Sequence, residues 1–242
     1  MTPRLVLCTG SSPTQVPLPV HGNGIKNLDL DVVLKPSDLA SILPRDSEST
    51  VAVVGASHSA ILALLNLTEL ARTSHRRLRI KWFTRHPLRY AEYKDGWILR
   101  DNTGLKGRAA DFARQHLEDN VIATSEAGKH ITKIDCAGGP AEETAQYQRH
   151  LPSCTHFTQA IGYARDPLPE FSINKDPLPS TDLTWDSSFG GFTDPSGRTI
   201  PGLHGAGIAF PEQVVDPCGN VEHAVGFFKF MKFLRRVSPQ WV

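Results

Sequence analysis

The run Thr50-Val-Ala-Val-Val-Gly55, followed at once by Ala56-Ser-His-Ser-Ala60 and then Ile61-Leu-Ala-Leu-Leu-Asn-Leu-Thr-Glu-Leu-Ala71, leaves this chain few folds to choose from. A short β-branched run closed by glycine predicts a buried strand, and the apolar positions of 61–71 recur at helical spacing. Leu78-Arg-Ile-Lys-Trp-Phe-Thr84 then alternates in character and predicts a second strand. Strand, helix and strand in that span match the length of a right-handed parallel crossover. The expectation is an α/β fold containing a Rossmann-like, three-layer nucleotide domain.

The rest of the chain supplies shorter elements. Arg4-Leu-Val-Leu-Cys-Thr-Gly-Ser-Ser-Pro13 reads as a strand running into a glycine turn. Residues 36–43 predict a short helix capped by Ser37, and the polar stretch 44–49 reads as a linker, with a domain boundary near 49. A helix is expected over 107–118 and a strand over 155–161, ending in Gly162-Tyr163. A Pro-rich stretch follows from Asp166 to Pro179, then a hairpin around Asp194-Pro-Ser-Gly197, a strand and turn at Gly202–Gly207, and a closing helix over 221–236.

Composition narrows the function classes. With 242 residues, 40% of them hydrophobic, the chain can bury one large core or two small ones. A formal net charge of +1 with interspersed signs gives no electrostatic footprint for nucleic acid or an anionic membrane. Cys8, Cys136, Cys154 and Cys218 are scattered without a CxxC pair, which argues against a zinc site and fits a reducing compartment, so a cytoplasmic protein is expected. No apolar run approaches a membrane span or a signal-peptide core.

The chemistry centres first on Gly55-Ala-Ser-His-Ser-Ala60. A tight turn at Gly55 between strand and helix would present helix N-terminal amides to a pyrophosphate, with Ser57, His58, Ser59 and Ala60 as the remaining candidate cofactor-binding positions. The alternative is that Gly55 only packs the helix closely on the strand, with Ser57 as its N-cap. Nucleotide sites that prefer NAD place an acid at the end of the second strand. This chain has Thr84-Arg85-His86 there. The guanidinium of Arg85 could take a 2′-phosphate in bidentate fashion and favour NADP, or be a solvated strand end.

Taken in order, Arg4–Pro13, the G-x-S-x-S-A turn, Thr84-Arg85, Ala160-Ile-Gly-Tyr163 and Pro201-Gly-Leu-His-Gly-Ala-Gly207 resemble the flavin-containing monooxygenases and amino-acid N-hydroxylases. The resemblance implies a remnant FAD-type domain at residues 1–49 and about 155–242, with an inserted NADP-type domain at 50–154. It also implies an FAD-binding Gly-rich unit that would lie before Met1, so tight FAD binding is not expected. Without flavin the family's usual chemistry cannot run, because the cofactor carries it.

Three functions stay open. The favoured one is a cofactor-free, redox-neutral cyclisation or isomerisation of an apolar small molecule, of Diels–Alder type and in specialised metabolism, in the vacated flavin cavity. The second is a direct NADPH-dependent reductase, and the third a non-catalytic or partner-completed half-flavoprotein. The resemblance puts the strand end at His204 against the flavin position, which makes His204, Glu212, Gln213 and Asp216 candidate catalytic residues, with Tyr163 as a phenolic donor. Asp216 before Pro217 also reads as a turn residue, and Glu222 and His223 as the first turn of a helix.

Overall fold

The computed structural model describes residues 4–19, 24–173 and 176–241, and the chain divides into two compact units. One comprises 13–162; the other joins the residues up to Ser12 to those from Tyr163 onward. Asn174 and Lys175, within the Pro-rich stretch, lie outside the described residues.

Unit 13–162 is built on a five-stranded parallel sheet ordered Lys26–Asn27, His156–Gln159, Ser49–Val54, Leu78–Thr84, Ile131–Asp135. Val51 stands opposite both Ile80 and His156, and Ile80 opposite Ile131. Parallel neighbours need crossovers, and helix His58–Thr73 supplies the one between Ser49–Val54 and Leu78–Thr84, as expected from the sequence. The strand alternation sorts the core into two layers. Val51, Val53, Ile80 and Trp82 face Ile61, Leu64 and Leu67 of that helix and Ala109, Ala110 and Ala113 of helix Gly107–His116. Ala52, Val54, Phe83 and Ile134 face Tyr147 of helix Pro140–His150. Helices therefore cover both faces of the sheet, the arrangement that buries a parallel sheet completely. Fully buried side chains of this size each stabilise the fold by roughly 1.5–3 kcal/mol over an exposed position.

Leu28, Leu30, Val33, Leu39 and Leu43 belong to the same core as Val51 and Val53, so most of the segment before residue 49 packs with the parallel sheet. Helix Pro36–Ile42 is not capped by Ser37. Its N-cap is Lys35, without a side-chain cap, and the Ser37 hydroxyl instead donates to the Asp38 carboxylate at 3.1 Å. Proline at the first helical position sets the helical φ without needing that cap.

The second unit holds a four-stranded sheet ordered Leu5–Leu7, Thr199–Gly205, Gly191–Thr193, Thr184–Asp186. Leu5–Leu7 runs parallel to Thr199–Gly205, and the other pairs are antiparallel. The hairpin around Asp194–Gly197 forms as expected, its turn closed by the Asp194 carboxylate, which accepts from the amides of Ser196 and Arg198 at 2.9 and 3.0 Å. Leu7, Phe192, Leu203 and Phe210 make its core.

The closing helix is shorter than the sequence suggests, covering Phe227–Val237 only. Val221–Ala224 is a strand paired with Glu212–Val215, so Glu222 and His223 do not open a helix. From Val221 to Ala224 the residues alternate exposed and buried, which is the period of a strand, and Gly226 at φ +137° separates them from the helix. Among the described residues no helix is long and apolar enough to cross a membrane.

Candidate nucleotide site

A cleft of about 320 Å³ opens at the carboxyl ends of strands Ser49–Val54, Leu78–Thr84 and His156–Gln159. In open parallel sheets this is the edge at which ligands bind. Gly55, Ala56 and Ser57 form one wall, Ala160, Ile161 and Gly162 a second, and Arg85, His86, Pro87 and Arg89 a third, with Thr103 completing it.

Gly55 is fixed by geometry on all sides. Its φ is +124°, and a Cβ there would sit 2.4 Å from the Ala160 carbonyl oxygen. Its N–H donates to the Phe83 carbonyl at 3.0 Å, and its own carbonyl accepts from the indole N–H of Trp82 at 2.7 Å. The close packing anticipated for this glycine is thus present, and it brings the start of helix His58–Thr73 to the cleft. Ser57 occupies the N-cap position without making a side-chain cap; its hydroxyl donates to the Ala160 carbonyl at 3.4 Å. The first-turn amides of a helix have no intrahelical acceptor, so those of 58–60 are available to an anion and carry the positive end of the helix dipole.

The other motif residues divide. His58 is exposed, and partial burial, followed by the charge of Lys106, holds its pKa below the ordinary histidine value. Ser59 is half-buried, whereas Ala60 is fully buried in the core. None of these three side chains lines the cleft.

Arg85 stands where the second strand ends. The Thr84 hydroxyl donates to the His86 carbonyl at 2.8 Å and accepts from the His86 amide, turning the chain so that Arg85 lines the cleft. Its guanidinium lies 3.6 Å from a carboxylate oxygen of Glu143, on helix Pro140–His150. The other oxygen of Glu143 accepts from the Tyr147 hydroxyl at 2.8 Å. Burial first, and then that bond to Glu143, pushes the Tyr147 phenol above its ordinary range. Arg89 adds a second cation to the wall and forms no ion pair among the described residues. Arg89, Thr103 and Glu143 belong to none of the motifs visible in the sequence. The basic spacing Arg85-His-Pro-Leu-Arg89 was the one local signal for any of them.

The residues proposed for catalysis all lie in the other unit, and none lines this cleft. His204 is 8% exposed, with its ring stacked 4.4 Å from that of Trp241 and its Nδ1 without a hydrogen-bond partner. Burial, then the charge of Arg4, lowers its pKa. Glu212 pairs with Arg236 at 2.7 Å. Gln213 is an exposed strand residue opposite His223. Asp216 is the turn residue of its hairpin: its carboxylate accepts from the amides of Cys218 and Asn220 and from the Asn220 side chain, bonds that hold its pKa down. Tyr163 is exposed at the start of strand Tyr163–Arg165.

No family model matches the chain. It is 64% identical over all 242 residues to the monooxygenase AgnR1 of Paecilomyces divaricatus, and spans 60% of that relative's length. A solved structure, the FAD-bound cadaverine monooxygenase DfoA of Erwinia amylovora, aligns with 90% of this chain and 49% of its own at 14% identity. Its TM-score of 0.25 is too low to support any inference.

Proposed function

We propose that unit 13–162 binds NADP(H) in the cleft at Gly55 and serves as the nucleotide portion of a monooxygenase. The carrying observation is the convergence, on one cleft, of the Gly55 turn, an uncapped helix N-terminus and the cations Arg85 and Arg89. The first two suit a pyrophosphate and the arginines suit a further phosphate. The strong identity to a protein named a monooxygenase supports the reaction class, since monooxygenation consumes two reducing equivalents that a nicotinamide can supply as hydride.

The amides of 58–60 would take the pyrophosphate, with Ser57 beside them, and Arg85 and Arg89 would take the 2′-phosphate. Residues 5–13 are not expected to hold a flavin pyrophosphate. Strand Leu5–Leu7 passes through Gly10 into a further short strand, Ser11–Pro13, and so lacks the helix N-terminus on which a flavin pyrophosphate would sit. A flavin-free cyclisation draws less support, because Glu212 and Asp216 are engaged by Arg236 and by a hairpin turn.

Calorimetric titration tests the nucleotide reading. The chain should bind NADPH more tightly than NADH, and Arg85→Ala should weaken NADPH by about tenfold, the worth of a charge-assisted bond, while sparing NADH. Failure of NADPH to bind would overturn it.

A further inference from the structure

The end of the second strand carries a cation, but not a free one. Glu143, more than fifty residues away in sequence, reaches Arg85 from helix Pro140–His150, with its carboxylate oxygen 3.6 Å from the guanidinium. The carboxylate is held where it is. Tyr147, one helical turn further along, donates to its second oxygen at 2.8 Å, and the Tyr147 ring is buried with its centroid 5.2 Å from that of Phe83, under the same strand. The side chain of Glu143 is 18% exposed against 55% for Arg85, so the acid is the fixed partner and the guanidinium the adaptable one.

Resting on the NADP(H) reading of this cleft, we propose that Glu143 is a specificity-determining positioning residue: it occupies one edge of the Arg85 guanidinium and competes with the 2′-phosphate for it. A guanidinium offers five donors in a planar fork, so one edge can stay with Glu143 while another meets the ligand. The dianionic phosphate must then approach a cation whose charge is partly offset, and it meets the repulsion of a carboxylate that the Tyr147 hydroxyl holds in place. NADH lacks that phosphate and does not feel the competition. The preference for NADPH is set by the difference between the two, and Glu143 makes it smaller than Arg85 and Arg89 alone would.

Glu143→Gln removes the charge but keeps an oxygen that can accept from Tyr147. Titrated into the 242-residue chain, NADPH should bind this variant about three- to tenfold more tightly relative to NADH than it binds the unmodified protein, the range of a partly screened charge pair. The ratio is internal to each preparation, so partial unfolding does not distort it; Glu143→Ala serves if the glutamine variant does not fold. In an Arg85→Ala background the same substitution should raise the ratio less, because only the direct repulsion between carboxylate and phosphate is left to remove; an equal rise in both backgrounds would mean that Glu143 does not act through Arg85 and would overturn the proposal. The 2′,5′-ADP and 5′-AMP pair should repeat the pattern without the nicotinamide. A ratio that is unchanged or lower in Glu143→Gln overturns the proposal while leaving the NADP(H) site standing. Absence of NADPH and 2′,5′-ADP binding to both proteins overturns the site itself, and the proposal with it.

Discussion

Two glycines lining the cleft proposed for a nucleotide share the same φ of +124° and differ in what surrounds them. At Gly162 a Cβ would meet nothing within 4 Å, whereas at Gly55 it would meet the Ala160 carbonyl at 2.4 Å. Gly162→Ala should therefore cost only the backbone strain of a left-handed conformation, about 1–2 kcal/mol. Gly55→Ala adds an overlap with main chain that cannot rotate away. Relieving it pushes helix His58–Thr73 off the strand, so a total of about 2–4 kcal/mol is expected, with weaker NADPH binding. Urea unfolding of the two variants checks this. Equal losses would mean that Gly55 is there for its φ alone and that the close approach to Ala160 has no energetic weight.

Among the elements, those legible in the sequence are those whose burial is nearly complete. Strand Ser49–Val54 and helix His58–Thr73 carry long apolar runs because each is covered on most sides, and such runs survive any reading frame. Helix Pro140–His150 buries only Tyr147 and is otherwise rich in Glu and Gln, so its sequence carries little periodic signal. Yet it delivers Glu143 to the site, a contact that no local pattern announces. Hairpin Glu212–Val215 with Val221–Ala224 was hidden for a different reason: its second strand runs close to a true helix, and only Gly226 marks the break. Its turn gives a prediction. Because the Asp216 carboxylate accepts three bonds that close the turn, Asp216→Ala should lower the thermal midpoint of the protein and leave NADPH affinity unchanged. Lost affinity or turnover with an unaltered midpoint would return Asp216 to the catalytic candidates.

At the scale of the molecule, five histidines among the described residues share one electrostatic condition. His58, His130, His150 and His156 in unit 13–162, and His204 in the other, all have pKa values held below the ordinary 6.5, with burial the largest cause in each. In the folded protein they stay neutral at pH values where the unfolded chain would already protonate them. The unfolded state thus binds more protons once the pH drops below about 6.5, and stability must fall as pH falls through that value toward the folded pKa. The carboxylates act in the same direction at lower pH. Asp194, held at about 2 first by its bond from Ser196, contributes stability that is lost as pH falls below the unfolded value near 4. On the alkaline side, burial pushes the Cys136 thiol up to about 11, so the folded state retains a proton that the unfolded thiol loses near 9, and stability declines as pH rises from there. Stability should accordingly be greatest between about pH 7 and 8.5, with an acid loss that begins in the histidine range rather than the carboxylate range. Urea midpoints measured at unit steps from pH 5 to 10 would show it. His204→Phe should reduce the acid slope, and because the His204 ring stacks on Trp241, indole emission gives a direct readout of that protonation. A midpoint that stays level from pH 7 to 5 would mean that these rings are hydrated enough to titrate alike in both states, and that burial does not set the acid limit of this fold.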